Sequence, residues 1–84
     1  MNTPLKEKRL KIGISLRELA RTIKVDSGEL SKLENGKRLG TLFVWFKIWN
    51  YFDWTPEEFT DIIYEHYTIF TGGDNNDAWR IYHK

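Results

Sequence analysis

The chain predicts an all-α domain of five helices, followed by a short C-terminal hairpin or extended tail. Three observations carry this expectation. Ser15, Asp26 and Thr55 are each followed three residues later by a glutamate (Glu18, Glu29, Glu58), the spacing at which cap and glutamate satisfy each other's orphan amides in a capping box. Apolar residues flank each cap at staple spacing: Ile14 with Leu19, Val25 with Leu30, and Trp54 with Phe59. Pro4 and Pro56 stand at first helical positions behind threonine caps, and Gly13 and Gly36 stand just past helix ends.

In chain order, the first helix runs from Pro4 to Ile12 and stops at Gly13; Leu5 and Ile12 face inward, and Leu10 is left between inside and outside. Ser15 to Gly36 then gives two short helices joined by a tight turn. Leu16, Leu19, Ala20 and Ile23 form the inner face of one, Leu30 and Leu33 that of the other, and Val25 fills the turn. Ala20 is small where two steeply crossed helices approach closely, and Gly36 supplies a left-handed C-cap. This is a helix-turn-helix. Thr41 caps a fourth helix, Leu42 to Phe52, which is apolar nearly all round. The fifth starts at Pro56, with Phe59, Ile62, Ile63, His66 or Tyr67, and at its far end Phe70, on its inner face. Thr68 to Thr71 and Ala78 to Tyr82 are rich in strand formers around a GGDNND loop, hence the hairpin or tail over 67–84 beyond a helix-turn-helix domain at 1–66.

Ser15 to Gly36 resembles the Xre/Cro type of phage-repressor helix-turn-helix, and the likeness extends from Leu5 to Phe59. It implies a lambda-repressor-like fold and double-stranded DNA as partner, with the second helix of the motif entering the major groove. By residue match, Ser27, Gly28, Ser31 and Lys32 face base edges. That set is thin, because no Arg, Asn or Gln among them offers bidentate readout; Glu29 can accept from cytosine N4, but a capping box would occupy it. Phosphates are assigned to the helix start at Ser15, Leu16 and Arg17, to Arg21, to the amides at Asn35 and Gly36, and to Lys37 and Arg38. The resemblance also implies a partly buried structural ion pair between Arg9 and Glu34. Lys24 stands where the family usually has a left-handed glycine, at a cost on the order of 1 kcal/mol. In the fourth helix, family members bury the positions of Leu42, Trp45, Phe46, Ile48, Trp49 and Phe52, which leaves Phe43, Val44 and Tyr51 surplus beside Lys47. With Trp79 and Tyr82 of the tail, these form the expected dimer or partner surface.

Composition agrees with two separate surfaces. Net charge is only +1, yet residues 1–40 hold ten Lys/Arg against five Asp/Glu, and residues 41–84 hold three against seven. All thirteen aromatic residues lie at or beyond Phe43. The positive half suits a polyanion and the aromatic half suits self-association. With no cysteine, no signal-peptide pattern and no long apolar span, a reducing cytoplasm is expected and a membrane role is not. No cofactor, metal site or catalysis is expected either. His66 and His83 stand alone, Gly72-Gly73 lacks the rest of a phosphate-binding loop, and no later glutamate closes an EF-hand around Asp74 and Asp77. The function expected is therefore a sequence-specific, homodimeric transcriptional regulator, a repressor of phage or mobile-element kind. The alternative is a protein-interaction module, antitoxin-like or antirepressor, that works through its aromatic half.

Overall fold

Thr3, Ser15, Asp26, Thr41 and Thr55 each accept a hydrogen bond from the backbone amide three residues on, and those five caps start the five helices. The computed structural model describes residues 2–72; the expected hairpin beyond Gly72 and the expected surface residues Trp79 and Tyr82 lie outside them. The helices are α1 (Pro4–Ile12), α2 (Leu16–Ile23), α3 (Ser27–Glu34), α4 (Leu42–Phe52) and α5 (Pro56–Phe70). Among the described residues there is no strand, and no helix is long and apolar enough to cross a membrane.

Two expectations about boundaries are corrected. Thr68 to Phe70 are helical, not a first hairpin strand. The Thr68 hydroxyl turns back to the Tyr64 carbonyl at 3.0 Å, so a β-branched residue is accommodated within the helix. The reciprocal capping box closes only at Thr55–Glu58; at Ser15 and Asp26 the cap accepts its amide, but the glutamate does not return the bond.

The core gathers Leu5, Leu19, Ala20, Ile23, Leu30, Leu33, Trp45, Ile48, Trp54, Phe59 and Ile62, with Ile14, Leu16 and Val25 packed against it. Trp49 stacks on Phe59 at 4.2 Å between centroids and Phe52 on Trp54 at 4.8 Å, so α4 is joined to α5 and to the loop before it by flat aromatic contact. Two tryptophan indoles donate to backbone carbonyls at 2.6 Å: Trp45 to Leu39, and Trp49 to Trp54. Both loops flanking α4 are thereby tied to its side chains.

Some expected core positions face water. Ile12 is 55 % exposed, because the inner stripe of α1 ends at Arg9, whose side chain turns away to Glu34 and to the Ile14 carbonyl. Leu10 is exposed as well, and so is Phe70, in the last turn of α5. On α4 the covered stripe is centred on Trp45 and Ile48, which leaves Leu42, in the first turn, and Phe46, one residue round from Trp45, about half exposed. Trp49 and Phe52 are half-buried.

Arg9 and Glu34 make the central polar contact. The guanidinium grips the carboxylate with two hydrogen bonds, Nε to Oε2 at 2.7 Å and Nη2 to Oε1 at 2.8 Å, while Nη1 donates to the Ile14 carbonyl at 2.9 Å. The hydrogen bonds that Arg9 donates to Glu34 raise its pKa further, against the opposing effect of burial. The Thr3 hydroxyl donates to the Glu34 backbone carbonyl, so the end of α3 is held by both the cap and the last turn of α1. Below them His66, 1 % exposed, accepts the Leu5 amide at Nε2 (3.1 Å), which places its proton on Nδ1. Burial pushes its pKa down to about 4, with the Glu34 charge and the Leu33 backbone carbonyl partly offsetting.

Two predictions follow from this polar core. Arg9→Met, which strands a buried carboxylate, costs roughly 3 to 5 kcal/mol in urea unfolding, and adding Glu34→Met restores part of the loss. For His66 the folded pKa, about 4, lies below the unfolded value of about 6.5. Its contribution is therefore complete above the unfolded value and fades as pH falls toward 4. Between pH ~7.5 and ~5 this amounts to about 2 kcal/mol, present in the native chain and absent in His66→Gln when unfolding is measured at both pH values.

Candidate nucleic-acid interface

The helix-turn-helix spans α2, the turn at Lys24–Val25, and α3. Lys24 takes the left-handed conformation at φ 58°, so the turn follows the path a glycine would allow and the lysine accepts the strain. The turn also receives a brace from α4: Lys47 Nζ donates to the Lys24 carbonyl at 3.3 Å. Lys47 therefore supports the motif from behind, a role that helical periodicity alone did not indicate.

On α3, Leu30, Leu33 and Glu34 are buried, and the opposite side is open. Ser27, Gly28 and Lys32 are exposed, while Ser31 is half-buried and its hydroxyl accepts from the Asn35 side-chain amide at 3.4 Å. Gly28 leaves room next to the cap, since a Cβ there would sit 3.0 Å from Asp26 Oδ2. These four positions occupy one solvent-facing side of a helix whose other side is anchored.

The cations assigned to phosphate are open to solvent. Ser15, Arg17 and Arg21 are exposed at the start and along the outer face of α2, while Leu16 is half-buried against the core. Lys37 and Arg38 are exposed beyond α3. The backbone donors assigned at Asn35 and Gly36 are engaged: the Asn35 amide bonds to the Ser31 carbonyl at 2.9 Å and the Gly36 amide to the Leu33 carbonyl at 3.1 Å. Both close the end of α3, so any phosphate contact from this loop falls to side chains. Gly36 itself is left-handed at φ 76°, and a Cβ would lie 2.6 Å from Ile69 Cγ2, so the loop is pressed against α5 where only glycine fits.

The aromatic surface is redrawn. Phe43 is 80 % exposed and joins Leu42 and Phe46 as a contiguous ridge on α4, at spacings of one, three and four residues. Val44 and Tyr51, expected on that surface, are half-buried and pack against the core. The pairing of Glu29 was also missed: with its capping bond unmade, Glu29 Oε2 lies 3.6 Å from Arg38 Nη1. Asp26 satisfies the Glu29 amide alone at 3.0 Å, which leaves the Glu29 side chain free to turn outward.

A family model described as helix-turn-helix matches residues 5–59. No curated protein and no solved structure matches the chain.

Because Lys24 holds a conformation that glycine adopts without steric cost, Lys24→Gly raises stability by about 1 kcal/mol in chemical unfolding. A loss of stability instead would mean that the Lys24 side chain contributes more than its backbone strain costs.

Proposed function

This chain belongs to the Xre/Cro-type helix-turn-helix family of DNA-binding regulators, and on that basis we propose that it is a sequence-specific repressor that binds duplex DNA as a homodimer in the cytoplasm. The observation that carries the reading is the outer side of α3, where Ser27, Gly28 and Lys32 are exposed, with exposed cations on α2 before it in the chain and in the loop after Gly36. A helix presented in this way fits the major groove with its first turns toward base edges, and the cations fall where the phosphates on either side would run. A dimer sets two such helices about 34 Å apart, so the expected site is a near-palindrome with half-sites one helical turn apart. Support for self-association comes from Leu42, Phe43 and Phe46, an exposed apolar ridge of the kind that a second surface covers.

Two measurements test the proposal. In a fluorescence titration of its own promoter fragment, affinity falls linearly on a logarithmic salt scale with a slope near −0.9 per phosphate neutralised. Lys32→Ala together with Arg38→Ala removes at least about tenfold of the affinity. The absence of any complex at low salt would overturn the DNA reading. In light scattering, the native chain has the mass of a dimer and Phe43→Lys with Phe46→Lys that of a monomer. A native monomer would instead assign the ridge to a different protein, as in the interaction-module reading that the same ridge supports.

A further inference from the structure

Four observations meet at Arg38. The chain reverses at Gly36 and returns along α3, with the amides of Lys37 and Arg38 both donating to the Lys32 carbonyl, at 2.9 and 3.3 Å. The Arg38 side chain therefore starts beside Lys32, the one long side chain on the outer side of α3. It then runs toward the start of the helix and places Nη1 3.6 Å from Glu29 Oε2. Glu29 and Lys32 are three residues apart and neighbours on the helix surface, so the guanidinium lies along α3, over a cleft that Arg38 and Glu29 line together with Leu33, Thr41 and Val44. Glu29 reaches it because its half of the capping box is not made, although the same motif closes fully at Thr55–Glu58.

The pair is 56 % and 52 % exposed, and an ion pair so open to water adds little to stability. Its physical effect is orientation. A guanidinium has five donors in a fixed plane; one directed at a carboxylate leaves others to face away from α3. The outer side of α3 itself lacks any bidentate group, since its residues are Ser27, Gly28, Ser31 and Lys32.

We infer that Arg38, oriented by Glu29, is a base-reading residue that takes guanine through O6 and N7 in the major groove. The inference rests on the reading of α3 as the DNA-facing helix. Glu29 is then a positioning residue, whose carboxylate holds the plane of the guanidinium toward the base edges and is itself neutralised by it in the field of the phosphates. The bidentate donor missing from the helix is supplied by the loop that folds back onto it.

The experiment is selection from a randomised duplex library, followed by affinity measurement on the selected duplex and on a scrambled one. The native chain selects a motif with a guanine whose preference disappears in Arg38→Ala. Binding of that variant to the selected duplex falls roughly tenfold to a hundredfold. Its binding to the scrambled duplex changes by less than about threefold. Glu29→Gln weakens the same guanine preference and has no added effect in the Arg38→Ala background. Equal losses on both duplexes, with a salt slope shallower by about one, would make Arg38 a phosphate contact and overturn the inference alone. A guanine preference that survives Arg38→Ala overturns it as well. If the native chain selects no motif, sequence-specific reading by α3 fails, and this inference fails with it.

Discussion

The buried bidentate contact between Arg9 and Glu34 fixes where the exposed helix points. Leu30 and Leu33 bury the inner side of α3, but apolar contact has little directional preference and would tolerate a rotated or shifted helix. A planar guanidinium against a planar carboxylate, with a third donor on the Ile14 carbonyl, tolerates little displacement. Three segments converge on it: α1, the connection into α2, and the end of α3. Thr3 adds a bond to the same turn of α3, and neutral His66 closes the space below against the Leu5 amide. The energetic value of such a pair over an apolar substitute is small; its value in orientation is larger. The proposed fit of the outer side of α3 to a groove depends on that orientation.

The rest of the domain reinforces the same piece from other directions. Lys47 reaches from α4 to the turn carbonyl of Lys24, and the Trp45 indole holds the loop after α3 through Leu39. Gly36 lets that loop press against Ile69 of α5. Side chains from α4 and α5 thus act on both ends of the motif without lying on its open side. What α4 leaves uncovered, Leu42, Phe43 and Phe46, is set apart from the polar side of α3 by chemistry: one surface is apolar and aromatic, the other short and polar. The separation by sequence halves of positive charge and aromatic residues becomes a separation of surfaces.

Much of this was legible in the residues. Every helix start followed from a cap, because a Ser, Thr or Asp that accepts from the third following amide is a local event that depends little on tertiary structure. The inner faces of α2 and α3 followed from helical spacing for the same reason. Features decided by distant partners were not legible. Ile12 and Leu42 sit on helix faces that periodicity calls inner, but they lie in terminal turns beyond the reach of the covering helices. The end of α5 was obscured by Thr68 and Ile69, strand formers by intrinsic preference that the helix accommodates. Spacing cannot say whether a glutamate returns its capping bond, and Glu29 and Glu58 share a motif while only Glu58 does so. The Arg9 pairing was reached through family resemblance, since nothing in the spacing of Arg9 and Glu34 links residues 25 apart.

The central claim is that the open side of α3, held by Arg9 and Glu34 and flanked by the cations of α2 and the following loop, is the surface that meets duplex DNA. Amide chemical-shift mapping of the isotope-labelled chain on addition of a short duplex tests it most directly. The account predicts shifts concentrated at Ser15 to Arg17, Ser27 to Lys32 and Asn35 to Arg38, with α5 unaffected beyond Phe59. Shifts centred on Leu42 to Phe46 or on α5, with α3 silent, would contradict it.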